Sequence, residues 1–110
     1  MKISQNDSFF MDYAIRLASR NLGNTGENPS VGCVITSENK IISIGVTGRS
    51  GSPHAEFNAI NNIKNFPKNT TAYVTLEPCS HTGKNPSCAK LLIEKQVKRV
   101  VIAQKDPNPI

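Results

Sequence analysis

The chain contains no tryptophan, and aromatic residues make up only 5% of its 110 residues. A stacking platform for single-stranded nucleic acid is therefore poorly supplied, because such grooves need several rings on which successive bases can lie. No apolar run approaches the ~18 residues of a bilayer-spanning helix, which argues against a membrane span. The amino-terminal stretch MKISQNDSFF has one lysine and no apolar segment, which is not the pattern of a secretory signal. These absences lead to the expectation of a soluble, cytoplasmic protein with no membrane and no nucleic-acid partner.

Cysteine and histidine are also scarce. The three cysteines form an odd count, which suits a metal site in a reducing compartment better than a disulfide framework. The two histidines, His54 and His81, lie in or beside a motif that also holds two of the cysteines. What is plentiful is ordinary: 37% hydrophobic and 19% charged residues, enough for one globular domain over residues 1–110. The net charge of +5 favours anionic partners such as phosphate esters. Six of the 13 basic residues (Lys64, Lys68, Lys90, Lys95, Lys98 and Arg99) fall on predicted helix faces, ends and turns, where they read as solubilising charge.

Hydrophobic periodicity predicts seven elements in the order α-β-β-α-β-α-β. Asp7 or Ser8 can cap a first helix with the stripe Phe10, Ala14, Leu17, Ala18 and Leu22, ended by Gly23. The apolar runs 31–36 and 41–46 flank Ser-Glu-Asn-Lys and read as a hairpin. Pro53 sets up a helix from about His54, with Ala55, Ala59, Ile60 and Ile63 on its buried side. A strand over 72–76 stops at Pro78, Pro86 opens a helix carrying Ala89, Leu91, Leu92 and Ile93, and residues 97–103 form a last strand. The pattern is an α/β fold in which β-α-β crossovers build a mixed sheet covered by helices.

The chemistry is concentrated in His54-Ala55-Glu56, Pro78-Cys79 and Cys88. One imidazole and two thiolates make three ligands for a Zn2+ cofactor and leave a fourth position open, as a catalytic site requires and a closed structural site does not. Glu56, two places from His54, can move protons rather than bind metal and is the candidate catalytic residue. Cys79 follows a strand end, Cys88 lies in the first turn of a helix and His54 opens another. Helix N-termini carry partial positive charge, which favours thiolate there. Residues two apart do not share a face in mid-helix, but at a helix tip they can converge on an ion beyond the end. Each residue alone has a plainer explanation: a capping or core histidine, an exposed carboxylate, two cysteines far apart. In combination they match the signature of zinc-dependent nucleobase deaminases, with eight residues between the cysteines in place of the usual two. Cys33, in the run Val-Gly-Cys-Val-Ile, reads as a small buried hydrophobe.

The segment Thr75-Leu-Glu-Pro-Cys-Ser-His-Thr-Gly-Lys-Asn-Pro-Ser-Cys88 closely resembles the riboflavin-biosynthesis pyrimidine deaminases, as do Asn28-Pro-Ser-Val-Gly-Cys-Val34, Pro53-His-Ala-Glu56 and Asp106-Pro-Asn-Pro109. The resemblance implies a three-layer α/β/α sandwich of the cytidine deaminase-like type. It also implies deamination of 2,5-diamino-6-ribosylamino-4(3H)-pyrimidinone 5′-phosphate to 5-amino-6-ribosylaminouracil 5′-phosphate. By the same analogy His54, Cys79 and Cys88 bind zinc, Glu56 shuttles protons, and Asn28, His81, Lys84, Asp106 and Asn108 contact the phosphorylated pyrimidine substrate. Asn85 and Ser87 stand where the family usually carries Thr and Pro, so a change in loop stiffness is expected.

The family domain continues past the Asp-Pro-Asn-Pro block with another helix and strand, followed by a reductase. Neither follows here, so the fold is expected to be truncated at its C-terminal end. A homo-oligomer or an associated reductase domain would then cover the open sheet edge. Two alternatives stand beside this reading: another zinc deaminase acting on a nucleoside, nucleobase or transfer RNA, and a non-catalytic zinc-stabilised fragment.

Overall fold

Alternation of side chains along the strands decides the layering. In the computed structural model, which describes residues 5–26, 29–49, 53–76 and 87–104, seven elements form in the expected order. They are helix α1 (Gln5–Arg20), strands β1 (Gly32–Ser37) and β2 (Lys40–Val46), helix α2 (Ala55–Asn61), strand β3 (Thr70–Val74), helix α3 (Cys88–Glu94) and strand β4 (Arg99–Ile102). The four strands lie side by side in the order β2-β1-β3-β4. β1 runs antiparallel to both of its neighbours, and β3 and β4 are parallel. β2, β3 and β4 therefore point the same way, and their carboxyl ends gather at one edge of the sheet.

Val34, Tyr73 and Val101 face one side, where they pack with Phe10 and Ala14 of α1. Cys33, Ile35, Ala72 and Val74 face the other, against Ala55, Ala59 and Ile60 of α2 and Leu92 of α3. Helix, sheet and helices make the three layers of the expected α/β/α sandwich, each strand face burying its own half of the core. The first crossover, from β2 through α2 to β3, passes over β1 before joining the sheet on its far side. No helix among the described residues is long and apolar enough to cross a membrane.

Three local expectations are corrected. Helix α1 begins at Gln5, ahead of both proposed capping residues, and Asp7 lies inside its first turn. Leu22, assigned to the apolar stripe of the first helix, is 69% exposed, and Ile93, one of the apolar residues expected on the third helix, is 75% exposed. Leu22 lies past the end of α1, and α3 turns Leu92 inward instead of Ile93. Arg99 is no solvated charge: it forms an ion pair with the buried Asp7 at 2.6 Å.

The hairpin closes more tightly than the four-residue estimate. Ser37 pairs directly with Lys40, and Glu38 and Asn39 both have positive φ, 52° and 63°. That is the two-residue turn whose twist suits a β-hairpin. The register slips between Ile35 and Thr36, which leaves Ile42 as the extra residue of a bulge on the edge strand β2.

Candidate active site

Helices α2 and α3 both begin at the edge where β2, β3 and β4 end. Open α/β sheets bind their ligands outside the carboxyl ends of the strands. His54 is the N-cap of α2, with extended backbone (φ −69°, ψ 159°), and its side chain does not cap its own helix. Cys88 is the first residue of α3 and is buried, 4% exposed. Its Sγ lies 3.5 Å from His54 Nδ1, although 34 positions separate the two in sequence.

Several contacts set this geometry. Gly45 of β2 lets α2 lie flush on the strand, since a Cβ there would collide with the Ala55 carbonyl oxygen. Asn58 Nδ2 donates to Val46 O at 2.7 Å and Asn62 Nδ2 to Ile44 O at 3.4 Å. Ser43 Oγ donates to Ala59 O at 2.6 Å. α2 is thus fastened to β2 along its length. On the other helix, Ser87 Oγ accepts from Lys90 N at 3.2 Å and caps α3. Ser87 therefore supplies a side-chain cap directly before Cys88.

Glu56, in the first turn of α2, is 4% exposed. Burial raises its carboxyl to about 7, opposed by a hydrogen bond with its own backbone amide. Cys33 is fully buried, and burial together with the nearby Glu56 carboxylate pushes its thiol far up. It therefore stays a neutral thiol of the core, as its sequence context suggested.

The structure thus brings together His54 and Cys88, with Glu56 in the same helix turn as His54. Cys79, Asn28, His81, Lys84, Asp106 and Asn108 lie outside the described residues. Among the described residues no group of three metal-binding side chains assembles. The observed pair can be tested against zinc. Zn–S of about 2.3 Å and Zn–N of about 2.0–2.1 Å at a tetrahedral angle put sulfur and nitrogen about 3.6 Å apart. The measured 3.5 Å between Cys88 Sγ and His54 Nδ1 fits two ligands of one such ion.

Sequence patterns did not reveal Gly45, Asn58 or Asn62, which position α2. The available signal was the Asn pair at i, i+4 in a short helix, where asparagine is otherwise a poor choice. An open groove of about 350 Å3 lies between α1 and the ends of β3 and β4, lined by Ile15, Ala18, Leu22, Val31, Thr75 and Ala103 among others. His54, Glu56 and Cys88 take no part in it.

Residues 4–104 match the family described as the cytidine and deoxycytidylate deaminase zinc-binding region. The chain is 47% identical over 103 residues to the riboflavin biosynthesis protein RibD of Escherichia coli, covering 94% of this chain and 28% of that protein. It is 45% identical over 103 residues to the diaminohydroxyphosphoribosylamino-pyrimidine deaminase of Buchnera aphidicola, covering 94% of this chain and 70% of that relative. Among solved structures, the diaminohydroxyphosphoribosylaminopyrimidine deaminase/5-amino-6-(5-phosphoribosylamino)uracil reductase of Thermotoga maritima superposes with a TM-score of 0.87 at 44% identity. That match covers 92% of this chain and 30% of the Thermotoga protein. The chain spans under a third of the RibD relatives it matches. With a match across nearly its whole length and a fold shared with these structures, the chain belongs to the zinc-binding cytidine and deoxycytidylate deaminase family, in its RibD branch.

Proposed function

We propose that residues 1–110 act as a pyrimidine deaminase domain of riboflavin biosynthesis. The reaction is hydrolysis of 2,5-diamino-6-ribosylamino-4(3H)-pyrimidinone 5′-phosphate to 5-amino-6-ribosylaminouracil 5′-phosphate and ammonia. Water supplies the new oxygen, one C–N bond breaks, and no electrons are exchanged with a redox partner. The observation that carries the proposal is the 3.5 Å approach of Cys88 Sγ to His54 Nδ1 at two helix N-termini, with the buried Glu56 in the same turn as His54. The names of relatives at about 45% identity agree with it.

In this proposal His54, Cys79 and Cys88 hold the metal. Zinc, when bound, supplies a Lewis acid that makes water nucleophilic near neutral pH. Glu56 takes one proton from the attacking water and gives it to the ring nitrogen, then takes the remaining proton of that oxygen and gives it to the leaving amine. A carboxyl raised to about 7 by burial can do both, since neither protonation state is far from reach at neutral pH. The short helices α2 and α3 point their positive ends at the thiolate side of the site. Asn28, His81, Lys84, Asp106 and Asn108 are assigned to the substrate, with Lys84 as a point charge for its phosphate. A reductase domain, joined or separate, is the proposed consumer of the product.

Zinc-loaded protein should release ammonia from the diaminopyrimidine ribotide. Glu56→Gln should lose about 10²–10⁴-fold in kcat, the usual worth of a positioned proton-transfer group, while keeping its zinc. Turnover of cytidine in place of the ribotide, or full activity in the Gln variant, contradicts the proposal.

A further inference from the structure

Val31 and Gly32, at the start of β1, are bonded from opposite sides to two threonines. Thr47 N donates to Val31 O at 3.0 Å, and Val31 N donates to Thr47 Oγ1 at 2.8 Å. Thr75 N donates to Gly32 O at 3.1 Å, and Gly32 N donates to Thr75 Oγ1 at 3.1 Å. In each pair a side-chain hydroxyl accepts the bond that a main-chain carbonyl accepts in a continuing antiparallel ladder. The hydroxyl takes the place of the carbonyl, so the chain can leave the sheet without orphaning the amide of β1. At Thr47 the released carbonyl accepts from Asn21 Nδ2 at 2.7 Å.

Both threonines stand where a functional segment departs. Thr47 directly follows β2 and opens the stretch that ends at His54; the ends of that stretch are tied by Gly48 N donating to Pro53 O at 2.7 Å. Thr75 directly follows β3 and opens the stretch of sequence that carries Cys79. The shared anchor cannot give way easily. A Cβ on Gly32 would collide with the Ala14 carbonyl oxygen, so the start of β1 is pressed directly onto α1. Ser30 Oγ adds a bond to Ala18 O at 2.6 Å.

We infer that Thr47 and Thr75 are positioning residues. Through the Val31–Gly32 unit they fix, relative to each other, the two points from which the ligand-bearing segments leave the sheet, and so tune zinc affinity. The inference rests on the zinc-site reading proposed above. Coordination needs its ligands placed within a few tenths of an ångström, and groups that orient ligands typically change metal affinity 10–100-fold when removed.

The test compares Thr47→Val and Thr75→Val, which keep shape and lose the hydroxyl, with Thr47→Ser and Thr75→Ser, which keep it. Zinc dissociation constants are measured by competition with a chromogenic chelator, alongside the Tm of each metal-free protein. Each Val variant should bind zinc about tenfold more weakly or worse, and each Ser variant should stay close to the parent. Unchanged zinc affinity in the Val variants, even with a lower Tm, overturns the inference; so does equal weakening by Val and Ser. If the buried Thr47→Val does not fold, the half-buried Thr75 pair carries the comparison. A parent that binds zinc yet releases no ammonia from the ribotide refutes the proposed reaction and leaves the affinity comparison standing. A parent that binds no zinc refutes both.

Discussion

Glu56 shows how one side chain can cost stability for the sake of chemistry. Its ordinary carboxyl value of 4.5 rises to about 7 because burial penalises the charged form. A folded-state value above the unfolded one means that the contribution to stability is full below 4.5 and is lost as pH rises through 7. The metal-free protein should therefore weaken by up to about 3 kcal/mol between mildly acidic and mildly alkaline solution, and Glu56→Gln should flatten that slope. Urea midpoints collected across this pH range check it; a slope equal in the parent and the Gln variant would contradict the burial argument. His54, Glu56 and Cys88 were each legible in the sequence because their residue types and spacing match one chemistry. What spacing could not give was the 3.5 Å between an imidazole and a thiol on different helices. It also could not distinguish Cys33, sealed in the core, from a ligand except by its apolar neighbours.

At the scale of elements, α2 is only seven residues long, yet together with its N-cap it carries two of the four key residues. Its stability comes from its seat on β2. Gly45→Ala would drive a methyl group into the Ala55 carbonyl. We expect a loss of about 1–3 kcal/mol, as for other overpacked sites, together with weaker zinc binding because His54 moves with the helix. Thermal melts and zinc titration of the same variant measure both. Asn58 and Asn62 occupy the Val46 and Ile44 carbonyls of β2. These bonds cover part of an edge strand that would otherwise offer free acceptors to another chain. The β1–β2 turn leaves room for improvement, because Glu38 and Asn39 hold a left-handed backbone. Exchanging Glu38→Asn together with Asn39→Gly should stabilise the protein by about 1 kcal/mol, seen as a higher urea midpoint with an unchanged m-value. The hairpin itself was legible in the sequence as two apolar runs around a polar break. Its two-residue closure and its bulge were not, since both depend on how the strands settle against helices on either face.

At the scale of the molecule, Asp7 and Arg99 join the two ends of the described chain. Arg99 donates to Asp7 Oδ1 at 2.8 Å and to Oδ2 at 2.6 Å, and Tyr73 Oη donates to Oδ1 at 2.6 Å. One carboxylate thereby links α1, β3 and β4. Burial and the neighbouring Asp7 push the Tyr73 hydroxyl up to about 12, so it remains a donor throughout the physiological range. Arg99→Met would strand a buried charge and should cost about 3 kcal/mol. Asp7→Asn in the same background should recover part of that loss, because the double variant removes the unpaired charge. Denaturation of the parent, the two single variants and the double variant completes the cycle; strict additivity would show that the pair is not coupled.

Local sequence determined the order of the seven elements, the apolar faces they bury and the identity of the zinc-type motif. Periodicity, turn residues and ligand chemistry are all written within a few positions of one another. Tertiary structure alone decided that β3 pairs antiparallel with β1, that α1 starts ahead of Asp7, and that residues 7, 73 and 99 share one buried carboxylate. It also decided that His54 and Cys88 meet across two helix tips. These are contacts between distant parts of the chain, set by which faces can be packed together, and no short window of residues contains them.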